Sequence, residues 1–217
     1  MILTGIVTDP RRPDYRLVEV DRGRFASLRA ADLAGLGLIV GAELSPFVLE
    51  RLQELADLEA AHRAALRAVA RRAHARFDLR RRLLQKQHPP DAVDGALDRL
   101  SVVGLLDDAQ FAADYAAARA RRGRGAARLI GDLLAQGVDR RLAETAVRGA
   151  LAAEGIDPAA AVRALAEKRA KQLAGLPPVV RKRRLVAFLV RRGFDGSDIR
   201  SAVEAISSPT TQLRVLS

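Results

Sequence analysis

Residues 129–150, LIGDLLAQGVDRRLAETAVRGA, place Leu129, Ile130, Leu133 and Leu134 on one helical stripe. The stripe stops at Gly137-Val138, and a second one follows at Ala143, Ala146, Val147 and Ala150. Moving 56 residues toward the C-terminus repeats the pattern as Leu185, Val186, Leu189, Val190, then Gly193-Phe194, then Ile199, Ala202, Val203 and Ile206. Moving 50 residues the other way gives a weaker copy: Leu79, Arg80, Leu83, Leu84, then Gln87-His88, then Val93, Ala96, Leu97 and Leu100. A further amphipathic helix precedes each copy, at about Leu58 to His74, Ala109 to Arg122 and Ala159 to Leu173. Three helices can bury one apolar stripe each at a common centre, so the chain is expected to be mainly α, with three tandem three-helix bundles in an elongated array.

The repeats predict divisions at 46–104, 105–155 and 156–206, with a flexible tail at 207–217. Residues 1–45 form a small β-rich N-terminal extension in this reading. Leu3 to Val7, Tyr15 to Val20 and Arg24 to Leu28 favour strands, set apart by Asp9-Pro10, Pro13-Asp14 and a tight turn at Asp21-Arg22-Gly23. Ala30 to Leu36 predicts a short helix stopped by Gly37, and Ser45-Pro46 predicts an N-cap with proline in the first helical position.

The run GLLDDAQFAADYAAARARRGRG, residues 104–125, could hold chemistry or mark the joints of a scaffold. Gly104 suits a left-handed helix stop, Asp107 or Asp108 suits the next N-cap, and Leu105 and Leu106 suit a hydrophobic staple. A metal bound by the paired aspartates would need further ligands from elsewhere, and the junction recurs as Gly155-Ile156-Asp157-Pro158, which favours architecture. Phe111 and Tyr115 share a helix face and are expected to pack in a core rather than stack on bases. Arg-Arg-Gly-Arg-Gly at 121–125 lacks the Lys-Ser/Thr of a phosphate loop, leaving flexible glycines and exposed arginines at a bend.

Net charge is +11 over 217 residues, but unevenly placed: residues 1–57 hold 7 Arg against 9 acidic side chains. The remainder carries +13, which points to a polyanion or an acidic protein surface as partner. Nine basic residues and no acid lie between Lys168 and Arg192, and nine against Asp78 alone lie between Arg63 and Lys86. Such surfaces grip phosphates without reading bases. The absence of cysteine excludes disulfides and thiolate metal sites and fits a reducing cytosol, and neither a leader nor a membrane segment is evident. His62, His74 and His88 form no HExxH pattern and no nucleophile elbow occurs, so no catalytic, metal or cofactor residue is assigned.

The middle unit resembles the RecX family, modulators of the RecA recombinase. The resemblance rests on Gly104, Leu105, Leu106, Asp107, Asp108, Phe111, Ala112, Tyr115 and Arg119, continuing through Arg122, Gly125, Leu129, Leu133, Gly137 and Val138. It extends over about residues 55 to 206, and residues 1–45 look like the extension of longer members. The chain departs from the family pattern at Gln87-His88-Pro89-Pro90, where a basic residue and glycine usually end the helix, and at Gln136. The resemblance implies a curved, non-enzymatic helical protein, with no cofactor, that lodges in the groove of a RecA filament on single-stranded DNA. It implies hindered filament extension, ATPase and strand exchange, and hence a part in recombination, DNA repair and the SOS response. A cytoplasmic monomer that also contacts single- or double-stranded DNA fits that picture, and a sequence-independent architectural protein or repressor is the alternative. The cations expected to meet the filament or DNA are Arg80, Arg81, Arg82, Arg119, Arg121, Arg122, Arg124, Arg128, Arg181, Lys182, Arg183, Arg184, Arg191 and Arg192.

Overall fold

A computed structural model describes residues 1–194 and 196–207. All but Ser207 of the tail expected at 207–217 lies outside the described residues. The chain is mainly helical, with three three-helix bundles behind a small antiparallel sheet, and it divides into compact units at Met1–Leu106 and Asp107–Ser217.

In the first unit, β1 (Leu3–Asp9), β2 (Arg12–Val20) and β3 (Gly23–Arg29) form a meander of order β1-β2-β3. Asp21 and Arg22 adopt left-handed backbone angles between the paired residues Val20 and Gly23, as a two-residue hairpin turn demands. Pro13-Asp14 does not separate strands as expected; it lies within β2, where the pairing steps from Asp9↔Arg12 to Thr8↔Arg16. Proline is tolerated there because the irregularity asks no ladder hydrogen bond of it. The short helix α1 (Ala30–Leu33) ends earlier than predicted, and Gly35 and Gly37 carry the chain on with positive φ.

Ser45 caps α2 (Pro46–Val69), accepting from the Val48 N–H at 3.3 Å, with Pro46 in the first turn as expected. At 24 residues α2 runs about 36 Å. It starts well before Leu58 and stops before His74. Its first half, through Leu52, Val48 and Leu55, closes the sheet's core of Leu3, Val18, Val20 and Leu28. Its second half, through Ala61, Ala64 and Ala65, packs on α3 (Arg76–Gln85) and α4 (Pro90–Val102) around Leu79, Leu83, Val93, Leu97 and Leu100. One helix therefore ties the sheet to the first bundle.

A buried polar cluster reinforces that tie. Glu59 of α2, 2% exposed, accepts from Arg99 of α4 at 2.6 Å, and Arg99 also reaches Asp32 of α1 at 2.8 Å. Arg12 lies over the Tyr15 ring, 3.9 Å from its centroid, and donates to Ser27, which donates in turn to buried Asp9 at 2.6 Å. Burial, followed by the charge of Glu59, raises the Tyr15 pKa. Partnered burial of this kind fixes one docking geometry more than it adds net stability.

The second unit holds α5 (Asp108–Ala120), α6 (Ala126–Ala135) and α7 (Arg140–Ala153), then α8 (Pro158–Gln172), α9 (Pro178–Arg192) and α10 (Gly196–Ser207). Leu129, Leu133, Ala143, Val147 and Ala150 are buried in the former, and Leu185, Leu189, Ile199, Ala202 and Val203 in the latter. These are the stripes that the repeat pattern picks out.

Candidate functional site

The 104–125 run is built as joints and core. Gly104 has φ +72°, and Asp107 caps α5 by accepting from the Ala109 and Gln110 N–H groups at 2.8 and 3.0 Å. Asp139 and Asp157 repeat that geometry at α7 and α8. The expected leucine staple is not formed as a pair: Leu106 is buried in the first bundle's core, whereas Leu105 is 53% exposed. The chain leaves the first bundle at this point, and a single leucine is enough to close it. Phe111 is buried, with the Tyr115 ring centroid 5.9 Å away, and Arg119 covers Tyr115 at 3.6 Å. Burial, and then the charge of Asp132, raises the Tyr115 pKa.

The glycines of the bend are tight rather than flexible. The Gly125 N–H donates to the Arg192 carbonyl at 2.9 Å, and a Cβ on Gly125 would run into the Gly193 backbone. A Cβ on Gly193, at φ +81°, would collide with Arg128. The second and third bundles thus meet here backbone to backbone, and Arg192 adds a 3.2 Å bond to the Arg122 carbonyl. Gly137 has the same left-handed angle at the end of α6.

The arginines expected to contact a partner fall into two groups. Arg80 forks onto Asp94 at 2.6 and 2.8 Å, while Arg81 and Arg82 bond Asp78 at 2.8 and 2.9 Å. Asp78, 4% exposed, also accepts from His74 Nδ1 at 3.0 Å. Burial pushes the Asp78 carboxyl up, but Arg82, His74 and Arg81 outweigh it and hold the pKa at about 2. Burial lowers the His74 pKa, so a neutral ring donates to the carboxylate. Arg121 pairs with Glu154 at 2.7 Å, and Arg124 and Arg128 pair with Asp132 at 2.7 and 2.9 Å.

The other group carries no acid. Among the described residues, Arg119, Arg122, Arg181, Lys182, Arg183, Arg184, Arg191 and Arg192 have no carboxylate partner, and the last six of these lie on α9. Arg192 stands 5.4 Å from the Phe188 ring centroid. Sequence reasoning missed Asp78 and Asp132 as holders of arginines, although Arg128-Asp132 and Asp78-Arg82 are legible i,i+4 pairs. It also missed Gly125 and Gly193 as a contact, because they are distant in sequence. Among the described residues no group of three or more His, Asp or Glu could hold a metal ion, and no helix is long and apolar enough to cross a membrane.

Comparison with known proteins places this arrangement. Family models for the first, second and third three-helix domains of RecX match residues 61–100, 107–147 and 157–203. A Regulatory protein RecX from Halorhodospira halophila is 36% identical over 148 residues, 68% of this chain and 88% of that protein. One from Thermobifida fusca is 38% identical over 144 residues, 64% of this chain and 74% of that protein. Among solved structures, a regulatory protein RecX crystal structure aligns with TM-score 0.71 at 19% identity, covering 94% of this chain and 98% of that one. RecX from Lactobacillus salivarius aligns with TM-score 0.57 at 19% identity over 69% of this chain and 96% of its own. At that identity the two structures speak for the fold.

Proposed function

The chain belongs to the RecX family, whose matching members are named regulatory proteins, and from that premise we propose that it is a negative modulator of the RecA recombinase. It binds the RecA filament on single-stranded DNA in the cytoplasm and hinders filament extension, ATPase and strand exchange. Recombination, DNA repair and the SOS response are the processes it regulates. No chemistry of its own is needed: preferential binding to one filament conformation shifts the equilibrium by mass action. The observation that carries this reading beyond the family is the acid-free set of cations on α9, where Arg181, Lys182, Arg183, Arg184 and Arg191 remain available to a partner. Arg122 is exposed in the same unit. Arg80, Arg81, Arg82, Arg121, Arg124 and Arg128 are proposed as secondary contacts, since each must share its charge with a carboxylate.

Titration of the purified protein against DNA-stimulated RecA ATPase tests the proposal. Progressive inhibition with co-sedimentation on filaments is the expected result. Unchanged ATPase at saturating protein, without co-sedimentation, overturns it.

A further inference from the structure

The first unit has a basic cleft that none of the above uses. It lies against the sheet and α2, encloses about 890 Å³, and is lined by Arg11, Arg24 and Arg63 over a floor of Leu17, Phe25 and Leu66. All three arginines are exposed, and among the described residues none has an acidic partner. Asp9 also borders the cleft, but its carboxylate is already bonded by Ser27 Oγ at 2.6 Å and lies 3.5 Å from Arg12. Glu59, one turn before Arg63, is buried, bonded to Arg99 at 2.6 Å and 3.9 Å from Arg12. Positive charge therefore dominates the mouth, and apolar surface the floor.

The charge continues along α2. Arg63 and Arg67 sit four residues apart on α2, and Arg71 follows in the turn just past its end; all three are exposed and without acidic partners among the described residues. Arg63 and Arg67 are separated by about 6 Å of helix. Arg67 and Arg71 border a second hollow that also includes Lys86.

From this juxtaposition we infer that the cleft and the arginines of α2 and the turn after it bind single-stranded nucleic acid, with phosphates on the arginines and an unstacked base against Phe25. A phosphodiester strand supplies both a regular row of charges and flat apolar faces for the floor. A purely acidic segment such as polyglutamate supplies the charges without flat apolar faces. A duplex keeps its bases stacked and would ride over the rim. Recognition is sequence-blind, because the cleft offers guanidiniums and one ring rather than a set of base-edge partners. The site goes beyond the proposed recombinase contact, as it lies wholly within Met1–Leu106 and does not depend on α9.

The chain has no tryptophan and no cysteine, which gives the test a local reporter. Full-length Phe25→Trp is titrated with oligothymidylate while indole emission is followed. Saturable quenching is expected, and adding Arg11→Glu, Arg24→Glu and Arg63→Glu should weaken it at least about tenfold. The logarithmic salt slope should fall by about 2, from three lost phosphate contacts at about 0.7 each. Pro10→Cys carrying an environment-sensitive dye at the exposed rim gives the same readout should the indole disturb folding. Binding seen by anisotropy without a signal at either reporter would place the strand elsewhere and overturn the inference. Equal signal from polyglutamate, or equal or tighter binding of duplex DNA, would overturn it as well. RecA ATPase measured on the same samples separates the two ideas: its loss or persistence bears on the regulator, and the cleft signal bears on this site.

Discussion

Helices α3 and α9 hold the same place in the first and third bundles, Leu79 and Leu83 of one corresponding to Leu185 and Leu189 of the other. Both are rich in arginine, yet their charges are in opposite situations. At the register position where α3 has Asp78, buried and bonded to His74, Arg81 and Arg82, α9 has exposed Arg184. A single buried acid at that position ties up two arginines that remain exposed, and its absence leaves the cations of α9 without a carboxylate partner. Charge density along a sequence therefore measures supply, whereas availability depends on where the nearest carboxylate sits. The turns that follow differ too: α3 ends at Gln87 with φ +66°, α9 at Gly193 with φ +81°.

The strongest way to break this comparison is at Gly193. An added methyl would require a left-handed alanine, costing about 1–2 kcal/mol, and would collide with Arg128. Overpacking of that kind costs about 1–3 kcal/mol more. Gly193→Ala should therefore destabilise the second unit by about 3 kcal/mol in urea unfolding, and an unchanged midpoint would show that the two bundles are not held backbone to backbone.

Asp78→Ala comes next. It leaves buried His74 without its acceptor, at a cost of about 1–3 kcal/mol. The acid limb tests the same bond. With the folded pKa depressed from 3.8 to about 2, the carboxylate's contribution is complete above the unfolded value and is lost as pH falls through the folded one. Stability of the first unit should thus drop by about 2 kcal/mol between about pH 5 and pH 1. Asp78→Asn should flatten that drop, and an undiminished drop would assign it to other carboxylates.

Paired charge reversals then contrast the two helices directly. Arg183→Glu with Arg184→Glu should weaken binding to RecA filaments on single-stranded DNA about tenfold, about 1.4 kcal/mol, with little change in melting temperature. Arg81→Glu with Arg82→Glu should do the reverse, lowering thermal stability by crowding Asp78 with like charge while changing binding less. Equal binding losses from both pairs would mean that intramolecular pairing does not withhold an arginine from a partner.

The repeat architecture was legible in the sequence because every bundle must bury the same helical stripes, and Leu129, Leu133, Leu185 and Leu189 are fully or almost fully buried as that logic requires. The Asp107 and Asp157 caps were legible for a similarly local reason: capping reaches only two or three residues. What escaped was set by partners far along the chain. Arg99 meets Glu59 and Asp32 across 40 and 67 residues, and Gly125 meets Arg192 across two bundles. Pro13 was misplaced because a strand irregularity, unlike a turn, leaves no composition signal. The paired state of Arg80 on Asp94 was hidden for the same reason, since they lie on different helices.

The smallest expected effect sharpens the comparison at its other end. Gln87 ends α3 in the left-handed region, where Gly137 and Gly193 end α6 and α9. A side chain there costs about 1–2 kcal/mol in the folded state, and the exposed Gln87 makes no side-chain hydrogen bond among the described residues that would offset the strain. Glycine would relieve the strain but add freedom to the unfolded chain, returning about 0.4–1 kcal/mol of the gain. Gln87→Gly should therefore stabilise the first unit by about 0.5–1 kcal/mol, seen as a higher urea midpoint at unchanged slope. A lower midpoint would mean that Gln87 contributes to the helix stop through its side chain, and that the first bundle's departure from glycine is not simply tolerated strain.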